Sequence, residues 1–360
     1  MHVHPISKAA LPGRPFLKWV GGKSRILQQI VPRLPHGRRL IEPFVGGGAV
    51  FLGTGFEEYL LNDSNVHLIE LYRAVSERPI EFGDRLQGVV CEPHQGDAST
   101  AVIFCNTGGD PRSGIGGFAT TAARRLANLG VSSLRFDFAG LGDSPIDGAE
   151  HRTHVYEVSR SDDMQAAIGL MATRGATRIT VVGVCAGAFH AFESATTDTR
   201  VTDLFAISPV KLTWRPGDTL SPGRIDDGKS TQSYVQALAN SDTWTRLLTG
   251  KVDMVAVSRT IGMRLQERFD GWMAQRRSTS PHSKMRRFAD RGGRAMFLMG
   301  LDDGSSDQMA IHFGTGANGL DQMSGARICI EPKLDHGLAR LESRQIAISK
   351  LLGWLGSDVA

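Results

Sequence analysis

Gly183-Val184-Cys185-Ala186-Gly187 follows the apolar run Ile179-Thr180-Val181-Val182 and opens a stretch that reads as a helix. A buried strand that ends in small-x-nucleophile-x-small and turns directly into a helix has a defined use. The small residues leave room for a strained turn that projects the central side chain. Here that side chain is a thiol. The helix N-terminus beneath it favours the thiolate, the form of cysteine that attacks a carbonyl. An isolated cysteine among apolar residues is ordinarily an inert core residue. The strand, turn and helix around Cys185 are what make it the candidate nucleophile.

Working outward, Glu77 to Gly83 restarts the chain with a strand-like pattern, and Leu86 to Cys91 supplies a second apolar strand. Ala101 to Cys105 reads as a buried strand that ends in the glycine-rich turn Asn106-Thr107-Gly108-Gly109-Asp110. A helix is expected from about Phe118 to Leu129, stopped by Gly130. The strand Ser133 to Asp137 then leads into Phe138-Ala139-Gly140-Leu141-Gly142-Asp143-Ser144, where Asp137 is expected to be structural. Asp162 to Thr173 is the helix before the Cys185 turn. Beyond it, Leu204 to Val210 and Ala295 to Gly300 are apolar strands, the latter leaving into Leu301-Asp302-Asp303-Gly304. Ile328 to Ile330 is the last strand, and Leu334-Asp335-His336-Gly337 lies on the loop before the C-terminal helix.

From Glu77 to about Gly356 the order of these elements resembles α/β-hydrolases of the serine-aminopeptidase-like type, particularly a bacterial group found with exopolysaccharide and exosortase systems. The stretches that carry the resemblance are Cys105 to Asp110, Arg135 to Ser144, Gly183 to Phe192, and Asp335-His336. The resemblance implies an α/β-hydrolase fold and a triad in the chain order nucleophile, acid, base. Cys185 is then the nucleophile, Asp303 the acid and His336 the base. Asp303 fits the Gly-x-x-Asp spacing better than Asp302, and His190 and His312 are the rival histidines. The oxyanion hole would take one N–H from Thr107 or Gly108 and the other from Ala186. Cys185 stands where most members of the fold carry serine.

Between the strand after the Cys185 helix and Ala295 lies a stretch too long for a simple loop. It holds Trp214, Tyr234, Trp244 and Trp272, so a helical cap over about residues 211–294 is expected. Its end is basic, with Arg276, Arg277, Lys284, Arg286, Arg287, Arg291 and Arg294. A solvated helical face is the first reading, and a site for an anionic substrate or carrier the second.

Residues 1–76 carry a different signature. Arg39 to Pro43 reads as a strand, Phe44 to Gly48 as a tight glycine turn and Ala49 to Leu52 as a helix start, an arrangement that lets backbone amides approach a ligand. Asp63, at the end of the strand Tyr59 to Leu61, is placed to hold a ribose hydroxyl. Pro15 to Lys23, Glu42 to Gly48 and Asn62 to Asn65 together resemble Dam-type DNA adenine methyltransferases. That resemblance implies a truncated Rossmann-like fragment and an S-adenosylmethionine half-site at Trp19, Lys23, Phe44, Gly46, Gly48 and Asp63. The Asp/Asn-Pro-Pro-Tyr/Phe motif with which that family grips a flipped adenine occurs nowhere in the chain.

Composition sets outer bounds. The first 76 residues hold nine basic and five acidic side chains, while the rest of the chain balances 32 against 32. The basic excess thus lies in the methyltransferase-like part, but a surplus of four charges is ordinary surface chemistry and DNA is not the expected partner. The four cysteines are far apart with no metal-ligand spacing, so neither a zinc site nor a disulfide framework is expected. Without a signal segment or membrane-length apolar run, a cytoplasmic protein is expected. The domains expected are 1–76 and 77–360. The function expected is an esterase, thioesterase or acyltransferase with a Cys-His-Asp triad, no cofactor for the hydrolase, and a small or carrier-linked acyl substrate. A DNA adenine methyltransferase and a non-catalytic binding protein are the alternatives.

Overall fold

The computed structural model describes residues 4–7, 23–65, 68–69, 80–83, 85–93, 99–145, 156, 160–214, 278–301, 303–314 and 317–356. The chain folds as two compact units, Met1–Arg78 and Pro79–Ala360.

In the first unit, β1 (His4–Ser7), β2 (Arg39–Glu42) and β3 (Glu58–Leu61) form a sheet in the order β1-β3-β2. β2 is parallel to β3 and β1 antiparallel to it. The short helices α1 (Leu27–Ile30) and α2 (Ala49–Gly53) accompany them. Val45, Phe51, Tyr59, Leu61 and Leu68 make a small core. The Tyr59 hydroxyl is satisfied within it, donating to the Thr54 carbonyl at 2.7 Å and accepting from the Phe56 N–H at 2.8 Å. Few buried residues of this size carry the unit, so each matters to it.

The second unit is built on eight strands: β4 (Ile80–Phe82), β5 (Leu86–Cys91), β6 (Thr100–Phe104), β7 (Ser132–Phe136), β8 (Arg178–Val184), β9 (Val201–Ile207), β10 (Arg294–Gly300) and β11 (Ala326–Glu331). Their spatial order is β4-β5-β7-β6-β8-β9-β10-β11. β5 runs antiparallel to both neighbours, and every other pairing is parallel. A reversed second strand and an exchange of the third and fourth define the α/β-hydrolase fold. The apolar runs at Ala101–Phe104, Ile179–Val184 and Leu204–Ile207 become its central strands because a parallel sheet is covered on both faces.

The helices are α3 (Phe118–Ala127), α4 (Ser161–Thr173), α5 (Ala186–Thr197), α6 (Pro281–Asp290), α7 (Ser305–Phe313), α8 (Asn318–Asp321) and α9 (Leu341–Gly356). α3 and α9 cover one face of the sheet through Phe118, Leu126, Leu351 and Trp354. α4, α5, α6 and α7 contribute Met164, Phe192, Phe288 and Phe313 to the core on the other. Each such side chain, fully buried, stabilises by about 1.5–3 kcal/mol before the entropy of ordering is set against it.

Most of the expected cap, with Tyr234, Trp244, Trp272, Arg276 and Arg277, lies outside the described residues. In its C-terminal part Arg286, Arg287 and Arg291 are exposed, in keeping with a solvated face, while several of the cations are also paired. Lys284 pairs with Glu193 at 2.6 Å, and Arg287 donates to the Ser278 carbonyl. Arg291 donates to the carbonyls of Ala195, Asp198 and Val201 around the end of α5, and Arg294 holds the buried Asp203 at 2.5 Å. Lys284 and Arg291 fasten α6 to the helix that follows Cys185, and Arg294 fastens β10 to β9. The reason is that α6 packs on α5 with Met285 and Phe288 buried, which draws its polar flanks against carbonyls and carboxylates.

Candidate active site

β8 runs buried between β6 and β9, and at its end Cys185 takes φ 54° and ψ −113°. A non-glycine residue in so sparsely populated a region is strained by roughly 1–3 kcal/mol and persists only where its surroundings impose it. They do so here: the Cys185 N–H donates to the Ile207 carbonyl at 2.9 Å and its carbonyl accepts from Ala188 at 3.1 Å. A Cβ on Gly183 would lie 2.1 Å from the Gly187 carbonyl oxygen, and one on Gly187 2.5 Å from that of Asn106. Both glycines of the turn are therefore steric requirements. Ala186 opens α5, so its N–H has no intrahelical acceptor and is free to serve a ligand.

The carboxylate and imidazole meet at the ends of adjacent strands. β10 and β11 are parallel and in register to Gly300 and Glu331, which puts the two following loops side by side. Gly300 lets them touch, since a Cβ there would lie 2.3 Å from the Leu334 carbonyl oxygen. Asp303, buried, accepts from His336 Nδ1 at 2.8 Å and from the Ser305 N–H at 2.9 Å. Burial opposes ionisation of Asp303, but the hydrogen bond and charge of His336, with Ser208 and the Ser305 N–H, hold its pKa below the ordinary value. Burial likewise opposes protonation of His336. The hydrogen bonds and charges of Asp303 and Cys185 outweigh it and raise the imidazole to about 10. His336 is thus held by Asp303 at Nδ1 and lies near Cys185. Asp335 is not part of this set: it accepts from the Ala339 and Arg340 N–H groups and fixes the turn into α9.

The loop after β6 is held against the turn by buried polar groups. Asn106 Nδ2 donates to the Asp110 carbonyl and to Asp137 Oδ1, and its Oδ1 accepts from the Phe138 N–H. Asp137, fully buried, also takes the Arg112 N–H at 2.6 Å, the Arg112 guanidinium at 2.5 Å and the Asp143 N–H at 3.2 Å. Asp137 is therefore the anchor of the loop that carries Thr107 and Gly108. That loop reaches the Cys185 turn where the Asn106 carbonyl abuts Gly187.

Two residues at the site carry no sequence motif. Ser208, just past β9 at φ 47°, is buried beside Asp303. Tyr156 is 6% exposed, and burial, with Cys185 nearby, raises its pKa. Its ring stacks on Trp214 at 4.9 Å and leans on Phe189 at 5.5 Å. These three rings also line a cavity of about 730 Å³ along α4 and α5, with Arg160, His190 and Glu193 among its other walls. Cys185 and His336 do not line it.

The rivals fall elsewhere. His190 is buried in α5 against Phe138 and Phe189, and His312 is buried in α7 beside Phe313. Asp302 lies outside the described residues. Burial pushes the Cys105 thiol up to about 12, and its sulfur lies 3.7 Å from that of Met164. Cys329 lies beside Lys350, and Cys91 is half-buried.

In the first unit the candidate half-site is tied up internally. Lys23 Nζ pairs with Glu42 at 3.1 Å and donates to the Phe44 carbonyl, while Glu42 also accepts from the Phe51 N–H. Burial raises the Glu42 pKa, and Lys23 offsets part of that rise. Asp63 accepts from the Gly46 N–H at 2.9 Å and the Asn65 N–H at 3.0 Å, so its carboxylate braces the glycine turn. Gly46 and Gly48 take φ of 49° and 72°, and the Phe44 side chain is 70% exposed. Trp19 lies outside the described residues.

Residues 19–94 match the family model of D12 class N6 adenine-specific DNA methyltransferases. The chain is 53% identical over 70 residues to the DNA N-6-adenine-methyltransferase of Escherichia phage P1, covering 19% of this chain and 9% of that protein. It is 52% identical over 69 residues to the DNA adenine methylase of Escherichia coli K12, covering 19% of this chain and 25% of that protein. The match thus spans a quarter or less of these relatives' length. Among solved structures, an esterase from Pyrococcus furiosus covers 79% of this chain and 94% of its own, at a TM-score of 0.48 and 12% identity. The chain therefore joins a segment similar to adenine methyltransferases to an α/β-hydrolase fold, which is defined here by its strand order and strained turn.

Proposed function

We propose that the second unit is an acyl hydrolase working through Cys185, His336 and Asp303, with ester or thioester substrates. The observation that carries this is the strained Cys185 at the tip of β8 near an imidazole whose Nδ1 is held by buried Asp303. With the proton resident on His336, the sulfur attacks the acyl carbonyl carbon, and the Ala186 and Thr107 or Gly108 N–H groups receive the developing oxyanion. As the tetrahedral intermediate collapses, His336 protonates the departing oxygen or sulfur, leaving an acyl-thioester on Cys185. Neutral His336 then takes a proton from water, which attacks the thioester; the thiolate departs and the imidazolium is restored. Oxygen and sulfur leaving groups suit this cycle better than amines, because a thiolate is expelled from an amide intermediate more readily than the amine. Transfer to an acceptor other than water uses the same steps.

A screen of p-nitrophenyl esters and acyl-thioesters tests the reading. Cys185→Ala and His336→Ala are each expected to lower turnover about 10³-fold or more, and the double variant little further, because the residues act as a unit. Asp303→Asn is expected to cost less. Near-native turnover by Cys185→Ala on the best substrate would remove the thiol from the mechanism. Methyl transfer by the first unit is not part of this reading, since no adenine-gripping motif is present and its candidate cofactor residues brace one another.

A further inference from the structure

We infer that the outer edge of β11 is a docking surface for a second copy of this chain, the two strands pairing antiparallel about a two-fold axis at Cys329. β11 closes the eight-stranded sheet, with β10 on one side and no strand on the other among the described residues. The Ala295 N–H donates to the Gly325 carbonyl at 3.0 Å, so the alternation of an extended chain turns the peptide groups of Arg327, Cys329 and Glu331 toward β10. Those of Ile328 and Ile330 point outward and have no backbone partner among the described residues. Ile330 adds an apolar side chain that is 44% exposed. Open hydrogen-bonding groups and an uncovered isoleucine at a sheet edge are a template for a further strand.

The residues along the edge decide which strand fits. Arg327-Ile328-Cys329-Ile330-Glu331 is complementary to its own reverse. With the axis at Cys329, Ile328 of each copy faces Ile330 of the other. These are the residues whose peptide groups are open, so each such pair exchanges two hydrogen bonds. Arg327 of each copy then faces Glu331 of the other. Arg327 is exposed and forms no ion pair among the described residues, while Glu331 is half-buried and meets Lys350 at 3.3 Å. Opposite charges directly across a strand pair stabilise it, and like charges oppose it. An axis at Ile328 would set Arg327 against Cys329, and an axis at Ile330 would set it against Lys333, so charge selects Cys329. The ends agree with that register. The Ala326 N–H is already taken by the Met323 carbonyl at 3.2 Å, and Pro332, which would lie opposite Ala326, has no N–H to offer.

The full-length protein is tested by size-exclusion chromatography with light scattering over a concentration series, and by peptide mass spectrometry after oxidation with copper phenanthroline in air. A mass approaching twice that of the chain is expected as the concentration rises. Across the axis the two Cys329 residues form a non-hydrogen-bonded pair with Cα atoms about 4.5 Å apart, within disulfide reach, so a Cys329–Cys329 linked peptide is expected. Arg327→Glu turns both ion pairs into like-charge pairs and is expected to weaken the dimer about tenfold or more and to suppress the link. Arg327→Glu combined with Glu331→Arg restores both pairs in reversed order and is expected to bring the dissociation constant back to within about threefold of the parent. A protein that stays monomeric throughout the series overturns the inference and leaves Arg327 as a guard of an open edge. A dimer that ignores Arg327→Glu, or whose double variant stays as weak as the single one, overturns it equally.

Discussion

At the scale of single residues, the chemistry of the site follows from who holds the proton. Asp303 is depressed and His336 raised, each because of the other, and Cys185 adds to the rise of His336. The stability linked to His336 is fully present below its ordinary 6.5 and is lost as the pH climbs through about 10. That linked to Asp303 is present above the ordinary 3.8 and is lost as the pH falls through its depressed folded value. Histidine-detected NMR is expected to show the His336 imidazolium persisting through pH 8 and titrating near pH 10. In Asp303→Asn and Cys185→Ala the transition should move to lower pH, since each substitution removes one of the partners that raise it. A His336 titration near 6.5 in the parent protein would mean the pair is not formed. The same scale decides thiol selectivity: iodoacetamide is expected to modify Cys185 before Cys105, whose burial keeps its proton on. Cys329, beside Lys350, is the competitor to monitor.

At the scale of elements, the strand, turn and helix around Cys185 act as a unit whose glycines are fixed by contact. Gly183→Ala would place a methyl 2.1 Å from the Gly187 carbonyl, which neither β8 nor α5 can yield without shifting. A loss of about 3 kcal/mol or more is expected, read as a lower urea midpoint with an unchanged slope. A neutral Gly183→Ala would show that the turn is looser than its contacts imply. These elements were legible in the sequence because their signals are local: apolar runs of strand length, glycines at the turn, and a Gly-x-x-Asp exit from β10. Asp303 and His336 were legible as positions on loops for the same reason. Tyr156 and Ser208 were not, because nothing in their neighbouring residues distinguishes them; only the fold brings one into the cavity beside Phe189 and the other beside the carboxylate. The pairing of some cations between Lys284 and Arg294 was not legible for a related reason. Their partners Glu193, Ala195 and Asp203 lie on elements some ninety residues away in the chain.

At the scale of the whole molecule, two units carry two family likenesses, the methyltransferase match at residues 19–94 running past Arg78 through the β4 and β5 segments. The eight strands of the hydrolase sheet and every residue of the proposed triad lie in Pro79–Ala360. A fragment of residues 77–360 is therefore expected to be soluble and to retain the full-length turnover, measured on the best ester or thioester; an insoluble or inactive fragment beside an active parent would refute that independence. Labelled S-adenosylmethionine with adenine-containing DNA is expected to give no incorporation, and clear transfer to adenine would overturn the functional assignment. No helix among the described residues is long and apolar enough to cross a membrane. By itself the sequence determined the segments, their order and the strand-turn-helix position that makes Cys185 the candidate nucleophile, because those depend on short-range sterics and periodic burial. Tertiary structure alone decided that β10 and β11 end in register and so join Asp303 to His336. It likewise paired Lys284 with Glu193 and Arg294 with Asp203, since each of these needs distant segments to be packed before the side chains can meet.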